Sequence, residues 1–270
     1  MHWRQQIMQI PSLKYLAVAA FVAISGTASA GVLRVNEAAF VAGAGLITFS
    51  EFALGTVNPT YAPATYGGGA GSPTVTFGGF FQGQSAGAAN PGACPAGAAV
   101  SGCVLGTPTG PLGLDPGSPT TFITNDGANP TTPVLSGTPT FNGSIAIKFS
   151  EAQFGVGLGG GFFNAIGGTA ITAYDAQGNV IGSVSNTGLG IEFLGLVSDT
   201  GQAEIAGLLF SLVGSEPAGF AIDNLRFGLR GQVIDPGPTP VPEPASMALF
   251  GIGLAGLLAS RRRLTSARKA

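Results

Sequence analysis

Side chains able to do chemistry are scarce in this chain, and the missing ones narrow its function more than those present. The only histidine is His2. Everything after it lacks an imidazole, which removes Ser-His-Asp and Cys-His catalysis, His-ligated zinc sites and His-mediated proton transfer. The two cysteines, Cys94 and Cys103, lie nine positions apart in a Pro/Gly/Ala stretch. Two thiols alone make neither a zinc site nor a redox motif. In an oxidising compartment this spacing reads as one local disulfide, with two free thiols as the alternative. Carboxylates are the largest reactive set. Residues 31–240 carry twelve (Glu37, Glu51, Asp115, Asp126, Glu151, Asp175, Glu192, Asp199, Glu204, Glu216, Asp223, Asp235) against four bases (Arg34, Lys148, Arg226, Arg230). That balance excludes nucleic acid, which needs a basic footprint. It suits bound cations or neutral glycans, and the solubility of an exported domain accounts for it equally well. A glycosidase or lyase of the two-carboxylate kind would need two of these acids in one cleft. The expectation is a chain that is not an enzyme.

Gly155-Val156-Gly157-Leu158-Gly159-Gly160 fits the G-x-G-x-x-G spacing of a dinucleotide fingerprint. That motif works only between a strand and a helix. Here Gly161-Phe162-Phe163-Asn164-Ala165 follows, which reads as more strand or a bend, so the glycines are assigned to close sheet packing or a bulge.

Both ends of the chain carry addresses. Arg4 and Lys14 form a basic region, Tyr15 to Ile24 an apolar core, and Ala28-Ser29-Ala30 a small-residue cleavage site. Residues 1–30 therefore read as a signal peptide, cut by signal peptidase to leave Gly31 first. Met8 is an alternative start. About ten apolar residues are too few for a membrane span. At the other end Val241-Pro242-Glu243-Pro244 precedes an apolar run, Ala245 to Ser260, that stops at Arg261-Arg262-Arg263. As a helix this run rises roughly 24 Å, a short transmembrane segment. Its basic stop should stay cytoplasmic and hold the preceding domain outside.

The elements between these signals follow a strand period. Leu46–Phe49, Thr74–Phe77, Ser144–Phe149, Ala170–Tyr174, Asn179–Val184, Ile191–Gly195 and Phe220–Phe227 are short β-branched or aromatic segments bounded by Gly, Pro and Asn. Asp175-Ala176-Gln177-Gly178 predicts a hairpin turn. Gly201 to Val213 is ambiguous between helix and strand. Asn58 to Ser72 and Gln82 to Pro119 are small-residue stretches read as long mobile loops. Tyr61, Tyr66, Phe80 and Phe81, in or beside them, are expected to pack back onto the body, with stacking on sugars as the alternative. The sequence thus predicts an all-β domain over 31–231, a jelly-roll-like β-sandwich with long Gly/Pro-rich loops. A Pro/Gly linker over 232–240 and an anchor over 241–270 would follow.

The tail resembles the PEP-CTERM sorting domain of Gram-negative bacteria in the order of its Pro242-Glu243-Pro244 motif, small-residue helix and arginine stop. The resemblance implies recognition by exosortase, a membrane enzyme, with transient anchoring, a final place at the cell surface or outside it, and a link to exopolysaccharide and biofilm. The region from Ile47 to Phe227 is similar to jelly-roll domains related to carbohydrate-binding modules, through Ile47-Thr48-Phe49-Ser50-Glu51-Phe52, Ala173–Val180 and Gly219–Phe227. In such domains acids on the first and last strands often ligate a structural calcium, and Glu51 and Asp223 occupy those positions. The alternative is that Glu51 faces solvent and Asp223 serves a turn, as Asp175 is expected to do. The resemblances imply a non-catalytic exported surface or matrix protein, or else a calcium-stabilised carbohydrate-binding adhesin.

Overall fold

A computed structural model describes residues 31–217 and 220–237. Among these residues there is no α-helix, and the chain runs as fifteen strands with a few single 3-10 turns. The strands are β1 Val32–Val35, β2 Gly45–Ile47, β3 Thr60–Tyr61, β4 Val75–Gly78, β5 Ser85–Ala86, β6 Val104–Leu105, β7 Thr121–Thr124 and β8 Val134–Gly137. They continue with β9 Ile145–Gln153, β10 Gly155–Phe163, β11 Thr169–Tyr174, β12 Val180–Ser185, β13 Gly190–Ser198, β14 Ile205–Leu212 and β15 Ala221–Gly228. The front sheet has the order β1-β13-β10-β15-β8-β7, with β2 also paired to β15, and the back sheet the order β12-β11-β14-β9-β4-β3. All their ladders are antiparallel. The all-β sandwich expected from strand period is therefore present.

Alternation builds the core. Ile145, Ile147 and Phe149 of β9, with Leu208 and Phe210 of β14, face Val156 and Leu158 of β10, Leu194 and Leu196 of β13 and Ile222 of β15. The opposite faces are covered too. Ala146, Ala206 and Leu209 on the outside of the back sheet pack with Phe81, Leu112 and Tyr174. This explains the ambiguity of Gly201 to Val213: β14 is buried along its whole length, so it reads as a continuous apolar run with no polar alternation.

The stretch from Gln82 to Pro119 is thus a cover rather than a free loop. Backbone bonds fasten it along its length: Thr109 N to Gln82 O at 2.8 Å, Leu112 N to Ala176 O at 2.9 Å, Asp115 N to Phe80 O at 3.0 Å and Leu212 N to Gly102 O at 3.0 Å. β5 and β6 form a small ribbon inside it, and Cys94 and Cys103 form a disulfide. Asn58–Ser72 is likewise tied down. Gly55 N and Asn58 N donate to Ile123 O and Thr121 O on the β7 edge. Tyr61 is fully buried, edge-on to Phe49, Phe52 and Phe77, while Tyr66 packs edge-on against Phe227. Composition understated these segments because a few rings among many small residues supply their anchoring.

The proposed linker also begins later than its composition suggests. Val233 is buried with Val35, Phe40, Phe154 and Val197 on the outside of the front sheet. Val41 N donates to Gln232 O and Ile234 N to Ala39 O, and Arg230 pairs with Asp235 at 3.0 Å. Burying one valine side chain contributes about 2 kcal/mol, which adds to these bonds in offsetting the entropy of ordering the segment. Beside it Arg34 of β1 pairs with Glu192 on β13 at 3.2 Å and donates to Ser185 O on β12, bridging the two sheets.

β10 resolves the dinucleotide-like motif. All six of its residues from Gly155 to Gly160 lie in a strand. A Cβ on Gly157 would press into the Phe193 ring, and one on Gly155 into Val197 and Val233. Glycine here lets side chains lie flat across the strand.

Opening the Cys94–Cys103 loop by the double change Cys94→Ser and Cys103→Ser should lower stability by about 2–3 kcal/mol, the closure entropy of a ring of roughly ten residues. Urea unfolding of the two forms reads this. A change under about 0.5 kcal/mol would mean that backbone bonds alone fix the cover.

Candidate functional site

The two acids singled out by sequence come into one neighbourhood, each engaged in a local turn. β2 ends at Ile47, and the chain reverses through Phe49, whose backbone takes φ 59° with its ring fully buried. Glu51 closes this turn: its Oε1 accepts from Thr48 N and Thr48 Oγ1, both at 3.0 Å. Its other oxygen, Oε2, is buried without a partner, as is the nearby hydroxyl of Tyr61. Burial, then the charge of Glu51, pushes the Tyr61 phenol well above its ordinary value.

Asp223 lies in β15, where that strand carries an extra residue against β10: Gly157 pairs with Arg226 but Gly159 with Asp223. Asn224 is the bulged residue, at φ 48°. Asp223 Oδ1 accepts from Asn224 N at 2.7 Å, and Oδ2 accepts from Asn224 Nδ2 at 3.0 Å and from Thr131 Oγ1. Asp223 is 2% exposed. Burial raises its pKa, the bonds from Thr131 and Asn224 partly offset this, and the charges of Glu51 and Glu37 raise it further. Thr131, held by Asn129 Oδ1, is the partner that sequence could not supply, being 92 positions away.

These residues fit a cation only in part. Glu51 Oε2 is a free, buried oxygen donor beside a second carboxylate. Asp223, however, offers no oxygen that is not already accepting a hydrogen bond. Calcium takes six to eight oxygens, and among the described residues no three acids, cysteines or histidines gather around one point. The remaining acids near clefts also have local duties. Asp175 and Glu204 line a cavity of about 480 Å³. Asp175 holds the β11–β12 turn through Gln177 N, Asn179 N and Asn179 Nδ2, at 2.9, 2.8 and 2.8 Å. Glu204 accepts from Ser198 Oγ at 2.8 Å.

Of the residues carrying the two addresses, only Gly31 is described. Its N donates to Asp199 Oδ1 at 2.8 Å, and its O accepts from Asp199 N at 3.0 Å. Ala28 and Ala30, Val241 to Pro244, and Arg261 to Arg263 lie outside the described residues, as does the apolar run Ala245 to Ser260. No helix among the described residues is long and apolar enough to cross a membrane.

Residues 240–263 match the PEP-CTERM protein-sorting motif. The chain carries a PEP-CTERM tail. The tail marks it for export across the envelope of a Gram-negative bacterium, with transient membrane anchoring and exosortase as its sorting partner. No curated protein matches the chain. Among solved structures, the enzymatically active domain of tailspike protein 4 from bacteriophage CBA120 overlaps it at 23% identity. That overlap covers 41% of this chain and 18% of the tailspike chain, with a TM-score of 0.25.

Asp223 makes stability depend on pH in a defined direction. A carboxyl whose pKa is raised on folding binds its proton more tightly in the folded state. Stability should therefore fall as pH rises from the ordinary aspartate value of 3.8 through the raised one. Urea unfolding across acidic pH in chelator should show this slope in the native chain. Asp223→Asn should flatten it, while losing about 1 kcal/mol at every pH through a mismatched acceptor. Parallel curves for the two proteins would show that Asp223 does not titrate differently on folding.

Proposed function

We propose that this chain is a non-catalytic surface or extracellular-matrix protein whose PEP-CTERM tail delivers it to the envelope, where it associates with exopolysaccharide. The observation that carries this reading is the tail at 240–263 behind a β-sandwich. The lack of any histidine beyond His2 supports it, as does the commitment of Asp175, Glu204 and Asp223 to turns and strand bulges rather than to a shared reacting point. Signal peptidase would act after Ala30 and exosortase at the tail.

In a host with exosortase, the native chain should lose its anchor and leave the inner-membrane fraction. Replacing Pro242, Glu243 and Pro244 by alanine should hold it there with the tail attached, as read by fractionation and intact mass. Identical processing of both forms would overturn sorting through this motif.

A second reading, a calcium-stabilised carbohydrate-binding adhesin, draws on the unpartnered Glu51 Oε2 beside Asp223. An ion bound there would supply the missing partner and tie the β2 turn to β15. Calcium at a hundred times its dissociation constant would add about 2.7 kcal/mol, raising the unfolding midpoint by roughly 5–10 °C in a domain of this size. Glu51→Gln should abolish the shift. An unchanged midpoint with calcium and with chelator would remove the ion from this reading.

A further inference from the structure

A cavity of about 480 Å³ opens beside β2, between Gly43–Gly45, the 66–73 segment and the Leu229–Gln232 turn. Its lining contains no acid and no base. That separates it from the cavity holding Asp175 and Glu204 and from one lined by Arg34. A phosphate or carboxylate ligand would find no cation in it, and a metal ion no carboxylate. Its walls are nevertheless polar: peptide groups of the Gly67–Gly71 run, Ser72, and the amides of Gln153 and Gln232.

The shape is built rather than incidental. Gln232 is fixed across the rim, its Nε2 donating to Gly43 O at 2.7 Å and its Oε1 accepting from Leu229 N at 2.8 Å. The Tyr66 hydroxyl donates to Pro73 O, which closes the 66–73 segment on itself. The Tyr66 and Phe227 rings meet edge to face at 5.3 Å and give the cavity an aromatic wall. A Cβ at Gly45 would collide with the Phe227 ring, whereas Gly69 faces open space.

An uncharged cavity within the small-ligand range, with amide and hydroxyl groups on one side and aromatic surface on the other, suits a ligand rich in hydroxyls and free of charge. We propose that this cavity is a binding site for a neutral saccharide unit, with Tyr66 supplying the apolar face and the glycine-run peptides the polar one. The proposal rests on the carbohydrate-binding reading and gives it a location. Gln232 stands five residues before Gly237, the last described residue, so a bound glycan would lie beside the path to the sorting tail.

Titration calorimetry of the exported chain in mild detergent tests this, with maltohexaose and cellohexaose as neutral probes and trigalacturonate as the charged comparison. Gly69→Phe adds a ring at the lining of the cavity, where the glycine meets open space. Gly127→Phe, also facing open space but outside the lining, is the matched control. The expected result is binding of a neutral hexasaccharide but not of trigalacturonate, weakened about tenfold or more by Gly69→Phe and unchanged by Gly127→Phe, with both variants unfolding at the native midpoint. Equal binding by the native chain and Gly69→Phe would overturn this site while leaving carbohydrate binding standing. Tighter binding of trigalacturonate would overturn the assignment of a neutral ligand. No binding of any probe by the folded native chain would overturn both the site and the reading beneath it.

Discussion

Because β14 sits in the middle of the back sheet with apolar side chains on both faces, the fold must supply two covers for one strand. The front sheet is the inner cover, meeting Leu208 and Phe210 through Leu158, Phe163 and Phe220. The outer cover is the long excursion that carries Phe81 and Leu112 back over Ala206 and Leu209. Burial of these apolar faces offsets part of the entropy lost in ordering the chain over them, and backbone bonds and the disulfide contribute the rest. The disulfide, the β5–β6 ribbon and the bonds to Gly102 and Ala176 all serve to keep that excursion in place. The front sheet repeats the arrangement on a smaller scale, its outer face covered by Phe40 and Val233.

How much of this was legible in the residues follows from the same physics. Short β-branched or aromatic segments bounded by Gly, Pro and Asn announce themselves, so β4, β9, β11, β12, β13 and β15 were all visible, as was the Asp175 turn with its reversing glycine at φ 84°. β14 hid its strand period because both of its faces are apolar. β7 and β8 were hidden by the prolines and threonines around them, although they pair with each other across a short connection. Long-range closure was not legible at all. Nothing near Asp223 points to Thr131, and nothing in a Pro/Gly-rich stretch reveals that Val233 fills a gap between Phe40 and Phe154. The address in the tail was readable for the opposite reason: its signal is linear and needs no folded partner.

Address and body therefore obey different constraints. The tail is decoded along the chain, whereas the body offers surfaces that exist only after distant segments meet. Glycine has two roles in that body. In β10 it lets neighbouring side chains lie across the strand, and around Gly43 and Gly67–Gly71 it leaves a cavity walled by peptide groups. Charge is sparse in both places. Among the described residues, ion pairs such as Arg34 with Glu192 and Arg226 with Glu37 fasten neighbouring segments to the front sheet.

The burial of Val233 has a mechanical consequence. Whatever pulls on the chain beyond Gly237 is resisted first by a short zipper, in which Ile234 N holds Ala39 O and Val41 N holds Gln232 O around one buried valine. Tension delivered there opens these links one after another, as in peeling, before it reaches the ladder of β15 with β10. A tethered molecule built this way has a sacrificial hem: it can give up a few residues of length under drag while its sandwich stays closed.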